Sequence, residues 1–221
     1  SYSIRIRSTD SNNLIYDEAI TVTVTDVNEE PTDISLNSTS VNENENSGAT
    51  VGTLTTTDVD VGDTHTNTLV VGTGDTDNSS FGISGSNLIT GEVFNFESKS
   101  SYSIRIKTTD SGGLSYEEAL TITVVDVNDA PVITSNSGTS TATVSFVENS
   151  TTSVTTLAST DEDAGSTVTY SISGTDAAYF LIDSSTGILT FSTAPNYEGP
   201  ADVDLNNTYI VDVIVADNGS L

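Results

Sequence analysis

Hydrophobic and polar residues alternate along much of this chain. Tyr102, Ile104 and Ile106 take turns with Ser103, Arg105 and Lys107, a period of two that predicts a strand with one buried face. Leu120, Ile122 and Val124 alternate with Thr121 and Thr123 and predict a second strand. Between them Asp110-Ser-Gly-Gly has the composition of a hairpin turn. Short runs at 33–36, 50–56, 68–71, 81–84 and 87–89 extend the pattern. Seven short strands within about 100 residues, separated by turn residues, predict a Greek-key sandwich of immunoglobulin-like type. No helical period outlasts a turn or two, so the expectation is an all-β protein.

The same pattern recurs. Residues 1–31 read SYSIRIRSTDSNNLIYDEAITVTVTDVNEEP, and residues 101–131 read SYSIRIKTTDSGGLSYEEALTITVVDVNDAP. Twenty of the 31 positions are identical without a gap. A weaker third copy keeps its strand cores while its loops change length, as surface loops do. Asp58-Val-Asp60 returns as Asp161-Glu-Asp163, Asn95-Phe-Glu97 as Asn196-Tyr-Glu198, and Tyr102 to Asp110 as Tyr209 to Asp217. The expected organisation is therefore the C-terminal part of one repeat (1–31), one complete repeat (32–131), and a third (132–221) that stops short of its last strand. With no initiator Met and no signal peptide, the chain reads as a window from something longer.

Charge narrows the function. Among 221 residues, 32 are acidic and five basic, a formal net charge of -27. Nucleic-acid phosphates and anionic membrane surfaces would repel such a chain, and no apolar run reaches membrane-spanning length. There is no Cys, which excludes disulfides, thiolate catalysis and thiolate metal sites. The single histidine, His65, argues against a His-based metal site or a Ser-His-Asp triad, and it is expected to be exposed or to pack in its loop. No catalytic residue is expected. The 37 threonines and 32 serines favour strands over helices and suit a long, exposed, soluble segment. Arg5, Arg7, Arg105 and Lys107 fall on the outward face of one strand type, where a solvated face is expected.

The carboxylates are not scattered. They recur at strand ends, at matching positions in each copy: Glu43, Asp58, Asp60, Glu97, Asp110, Asp126 and Asp129 in the complete repeat. Several carboxylates at one pole of a sandwich repel one another unless a cation is present. Calcium suits such a site, because it takes six to eight oxygens from Asp, Glu, Asn and backbone carbonyls. Paired acids such as Asp58 and Asp60 also resemble a glycosidase pair, but they recur in each repeat, which catalytic sites seldom do.

In these features the chain resembles the cadherin repeat, especially its bacterial cadherin-like form. The resemblance is carried by Glu43 of Val-Asn-Glu-Asn with Glu148 of Val-Glu-Asn, by the two D-x-D pairs, and by Asn95-Phe-Glu97 with Asn196-Tyr-Glu198. Thr-Asp110-Ser-Gly, Ala-Asp217-Asn-Gly and the linker Asp126-Val-Asn128-Asp129-Ala-Pro131 complete it. The run Tyr179-Phe180-Leu-Ile182-Asp183-Ser-Ser-Thr186-Gly187 of the third repeat has the same character. The resemblance implies tandem cadherin-like sandwiches with calcium ions between successive repeats. Carried over, the second junction would use Glu43, Glu97, the carbonyl of Val127, Asn128 and Asp129 from upstream, with Asp161, Asp163 and Asp217 from downstream. The first junction would use Asn28 and Glu29 with Asp58, Asp60 and Asp110. Asp126 matches the first Asp of the linker motif and is expected to be structural. Glu29 stands where the linker pattern has Asp, and Asn95 and Asn196 stand where the family has the first acid of the pair before its sixth strand.

The function implied is a calcium-rigidified segment of a large extracellular, bacterial cell-surface adhesin, acting as stalk and adhesion module. Its neighbours would be further repeats of the same chain, with a surface, glycan or protein as target. The alternative is a glycan-binding or accessory module of a secreted polysaccharide-active protein, against which the absence of Trp counts.

Overall fold

A computed structural model describes residues 1–219. Its regular structure is strand, apart from three-residue turns of 3₁₀ helix, as the alternating pattern requires. Contacts divide the chain into two compact units. The first comprises Ser1–Val41, Asn46–Val93 and Ser101–Thr123, and the second Asn42–Glu45, Phe94–Ser100 and the chain from Val124 onward.

The first unit opens with a hairpin of β1 (Tyr2–Thr9) and β2 (Ile15–Val22), paired from Tyr2↔Val22 to Thr9↔Ile15. Asp10 closes its turn: the Asn12 and Leu14 amides both donate to the Asp10 carboxylate. Eight strands follow: β3 (Asp33–Leu36), β4 (Ser40–Asn42), β5 (Thr50–Thr57), β6 (Thr66–Leu69), β7 (Phe81–Ser84), β8 (Asn87–Thr90), β9 (Ser101–Thr109) and β10 (Ser115–Val125). They form two four-stranded sheets, ordered β3-β5-β8-β7 and β4-β10-β9-β6. In β9 the period of two is complete. Tyr102, Ile104, Ile106 and Thr108 are buried, while Ser103, Arg105 and Lys107 face outward, half-buried. Leu88, Ile104, Ile106 and Ile122 have no exposed surface, and burying each such side chain stabilises by about 1.5–3 kcal/mol. Gly52 sits at a register shift between β5 and β8, where a Cβ would come within 2.6 Å of the Ser38 carbonyl oxygen.

Two strands differ from expectation. The run at 68–71 is placed two residues earlier, because β6 pairs with β9 from Thr66↔Thr109 to Leu69↔Ile106. Val71 lies beyond the strand and is exposed. The second hairpin strand begins at Ser115 rather than Leu120, its first half pairing with Lys107 to Thr109.

The second unit carries β11 (Val132–Ile133), β12 (Ser153–Thr156), β13 (Ser159–Thr160), β14 (Thr169–Ser173), β15 (Phe180–Ile182), β16 (Ile188–Phe191) and β17 (Asp212–Ala216). Its sheets are small: β12-β16-β15, β14-β17 and β11-β13. The counterpart of the Tyr102–Asp110 run, residues 209–217, contains β17, paired with β14 from Thr169↔Ala216 to Ser173↔Asp212. Aromatic rings join Leu189, Val154 and Ile172 in this core. Phe180 and Phe191 lie 4.4 Å apart, and Tyr209 stands edge-on to Phe191 at 5.0 Å. The aromatic geometry adds to area burial.

Candidate metal centres

The second-junction residues all lie in the second unit, and buried Glu43 organises them. Glu43 is 2% exposed. Its Oε2 accepts from the Phe96 amide at 2.7 Å and its Oε1 from the Val127 amide at 2.8 Å. One carboxylate thus ties the 95–97 loop to the linker. Val127 engages Glu43 through its N–H. The linker then reaches the D-x-D loop. The Asp129 amide donates to Asp163 Oδ2 at 2.7 Å, and the Asn128 amide group to Asp217 Oδ2 at 2.6 Å. Inside the loop the Asp163 amide donates to Asp161 Oδ1 at 3.0 Å, and the Ser166 hydroxyl to Asp161 Oδ2 at 2.7 Å.

These bonds bring carboxylates together. One oxygen each from Glu43, Glu97 and Asp129 lie within 4.8 Å of one another, as do oxygens of Glu97, Asp126 and Asp163. Asp129 Oδ1 accepts from the Asn44 side chain, but Asp129 Oδ2 is buried without a partner. The strain shows in proton affinity. Burial, followed by the charges of Glu43, Asp163 and Glu162, raises the Asp129 pKa against the Asn44 hydrogen bond. At Glu97 an amide hydrogen bond acts downward, yet burial and the charges of Glu43, Asp126 and Asp163 leave its pKa raised.

The first-junction residues lie in the first unit and repeat the seating. The Asn28 amide group donates to Asp110 Oδ2 at 2.9 Å, matching Asn128 on Asp217. The Glu29 amide donates to Asp60 Oδ2 at 2.8 Å, matching Asp129 on Asp163. Each linker Asn sits where a side chain at Gly112 or Gly219 would have to be, so Asp-x-Gly leaves room for the linker. Close contact with Asp60 raises the Glu29 pKa first, burial second. Oxygens of Asp58, Asp63 and Asp110 form a third trio within 4.8 Å.

His65 packs in its loop, one of the two outcomes expected. Its Nε2 lies 2.9 Å from Asp58 Oδ2, with 16% of the side chain exposed. The Asp60 amide first, and His65 second, hold Asp58 below its ordinary pKa. Glu148 repeats the clamp of Glu43 in the third copy, accepting from the Tyr197 amide at 2.8 Å.

Asp126, expected to be structural, has an oxygen within 4.8 Å of oxygens of Glu97 and Asp163. Asp63 was not singled out in the sequence; its position in the same loop as the D-x-D pair was the available signal. Arg7 and Arg105 are ion-paired on the solvated face. Arg105 pairs with Glu117 at 3.0 Å and with the Thr73 carbonyl, and Arg7 makes a two-pronged pair with Asp17.

The donor set fits calcium. It is all oxygen, which suits a hard cation rather than zinc, and Asp129 and Asp63 each keep a buried oxygen without a partner. Glu43, Glu97, Asn128, Asp129, Asp161, Asp163 and Asp217 would hold the ions at one junction, and Asn28, Glu29, Asp58, Asp60 and Asp110 at the other. The ions would supply charge neutralisation there.

Comparison with known proteins bears on the fold. No curated protein matches the sequence. The chain is similar in structure to protocadherin gamma B2 extracellular cadherin domains 1–5 at 20% identity and a TM-score of 0.52, covering 98% of this chain and 45% of that one. It is similar to human CDH23 EC21–23 at 18% identity and a TM-score of 0.56, covering 96% of this chain and 72% of that one. It is also similar to the protocadherin gammaB4 extracellular domain at 24% identity and a TM-score of 0.50, covering 98% of this chain and 37% of that one. The chain thus spans less than half the length of the two protocadherins. At such identities the likeness is one of fold. A cadherin domain model matches residues 37–125, and the chain has a cadherin-like β-sandwich fold.

Proposed function

We propose that the chain is a calcium-rigidified segment of a long extracellular adhesin of a bacterial cell surface. Residues 1–31 end one repeat, 32–131 form a second and 132–221 belong to a third. In this reading each linker is a calcium-dependent joint. The first uses Asn28, Glu29, Asp58, Asp60 and Asp110; the second uses Glu43, Glu97, Val127, Asn128, Asp129, Asp161, Asp163 and Asp217. Cadherin domains are adhesion modules that generally bind calcium, and this is the activity the segment would serve. Its partners would be the neighbouring repeats and a target at the end of the array.

One observation carries the reading. The same two linker bonds, Asn to the Asp after the hairpin strand and the next amide to the D-x-D pair, recur at both junctions. They seat each linker among carboxylates that repel when bare. Six carboxylates at the second junction (43, 97, 129, 161, 163 and 217) would be neutralised by about three calcium ions. Without cations the acids push the linker away; with them, binding free energy becomes stability of the folded joint.

The test is thermal unfolding in EDTA and in millimolar calcium, with bound calcium counted. The expected result is a large rise in melting temperature with several ions bound. No shift and no bound ion would reduce the acidic clusters to a solvated surface on a cadherin-like fold.

A further inference from the structure

We propose that the loop 199–208 is a proton-operated latch: one proton shared by Asp202 and Asp204 draws the loop closed in mild acid and releases it toward neutrality. The latch is independent of the calcium reading above and uses none of the residues assigned to it.

The loop is an insertion of the third copy. Ten residues separate Glu198 from Tyr209, whereas four separate Glu97 from Tyr102. Its tip is apolar and open, with Val203 62% and Leu205 65% exposed. Leu205 and Asn207 take left-handed backbone (φ +58° and +65°), which a residue other than Gly adopts where its surroundings impose it. Carboxylates impose it here. Asp202 is 1% exposed, and its two oxygens accept from the Asn206 amide at 2.8 Å and the Asn207 amide at 3.2 Å. The Asn206 side chain donates to Asp204 Oδ2 at 2.6 Å, so one residue holds both carboxylates at the same turn. Buried Asp176 accepts from the Val203 and Ile210 amides, and the Tyr209 hydroxyl accepts from the Ala201 amide. The Asn207 side chain donates to the Tyr197 carbonyl, and the Tyr197 amide to Glu148. The other ionisable groups on these segments are therefore Glu148, Asp176, Tyr197, Glu198, Tyr209 and Asp212. None is basic, and residues 132–221 contain no Lys, Arg or His at all. The third copy has only a proton with which to neutralise the pair.

Two carboxylates placed this way do not ionise independently. Burial pushes the Asp202 pKa up, but the Asn206 amide, the Asp204 carboxyl and the Asn207 amide outweigh it and hold it below the ordinary value. Contact with Asp202 first, and burial second, raises Asp204. The proton that arrives first sits on Asp204 and is donated to Asp202, a hydrogen bond to a charged acceptor. Asp204, raised, stabilises the closed loop fully below the unfolded carboxylate pKa of about 3.9, and loses that contribution as pH rises through its folded value. Asp202, depressed, contributes above about 3.9 and loses its share as pH falls through its folded value. The loop is held hardest near that pH and loosens on both sides. Val203 and Leu205 are thus presented firmly in mild acid and loosely at neutrality.

The Asn206 and Asn207 amides report the latch. Their hydrogen exchange, divided by the intrinsic rate at each pH, is followed by NMR from pH 7 to pH 2 in EDTA at fixed ionic strength. The whole chain is compared with Asp204→Asn and Asp204→Ala. Asp204 is exposed, and near-ultraviolet circular dichroism from the Phe180, Phe191 and Tyr209 cluster checks that both variants fold. The expected result is a protection maximum near pH 4 that falls about threefold or more by pH 7. In Asp204→Asn the side-chain amide donates without titrating, so protection stays level from pH 4 to pH 7. Asp204→Ala keeps only the fall on the acid side. Protection that is flat from pH 7 to pH 4 in the unmodified chain, or that follows the same profile in Asp204→Asn, overturns the latch.

Discussion

The two hairpins, β1–β2 and β9–β10, have nearly the same sequence and very different surroundings. Tyr102, Ile104 and Ile106 are 8%, 0% and 0% exposed; Tyr2, Ile4 and Ile6, their counterparts, are 68%, 50% and 51% exposed. Both pairs keep the same register, with Ile4↔Ile20 and Ile104↔Leu120 opposite each other. Both turns also close in the same way, the Leu14 and Leu114 amides each donating to the aspartate four residues earlier. Alternation and turn chemistry therefore specify a hairpin by themselves. They specify a face that wants burial, but the second sheet decides whether it is buried. An isolated two-stranded hairpin is marginal in water, so the energetic meaning of one sequence changes with its context.

Mutations break the comparison most sharply at the shared isoleucines. Ile104→Ala or Ile106→Ala should cost about 2–5 kcal/mol, because each leaves a cavity in a closed core. Ile4→Ala and Ile6→Ala should change the unfolding of this chain far less, and equal losses from both pairs in denaturant melts would show that the first hairpin is packed as tightly as the second. The turn aspartates come next. Asp110 is buried and accepts from Asn28, whereas Asp10 is exposed, so Asp110→Ala should lower the melting temperature several degrees more than Asp10→Ala.

Asp110 also predicts a pH dependence. Burial pushes its pKa up, but Asn28 and the amides of Leu114, Gly113 and Gly112 outweigh it and hold the folded value below the ordinary one. A depressed carboxylate stabilises the fold above its unfolded pKa of about 3.9 and loses that contribution as pH falls through the folded value. In metal-free melts the gap between wild type and Asp110→Asn should therefore be constant near neutrality and close below about pH 4. A constant gap down to pH 2 would contradict the assignment.

The smallest difference is expected at the arginines. Arg105 is 24% exposed at its side chain and caps the Thr73 carbonyl as well as pairing with Glu117, so Arg105→Ala should cost about 1 kcal/mol. Arg7 is 60% exposed, and its alanine variant should melt with the wild type. A larger effect at Arg7 than at Arg105 would reverse the reading of the two faces.

How much of this was legible beforehand depends on the kind of signal. Period-two segments such as 101–106 were readable because side-chain alternation is a direct geometric consequence of a strand. The three-residue strand Ser40–Asn42 was not, since so short a stretch has no period to detect. The placement of β6 was missed because Val70 and Val71 look like strand residues, while pairing with β9 fixes the register two residues earlier. At the candidate site, the recurring acids and linkers marked where carboxylates gather. The structure adds what spacing cannot carry: Asp63 and Asp126 brought in by loop folding, His65 drawn onto Asp58, and Val127 engaged through its amide. Loop side chains have no period, and their neighbours are set by turns such as that at Gly62.

Hydrogen exchange in EDTA and in millimolar calcium, resolved along the chain, tests the central claim most directly. The account predicts strong protection in β9–β10 and weak protection in β1–β2 under both conditions. Calcium should slow exchange about tenfold or more at the 26–31 and 126–131 linkers and in the 58–63 and 161–166 loops. Identical exchange at linkers and loops in the two solutions would contradict it and leave the acidic clusters without a cation to hold.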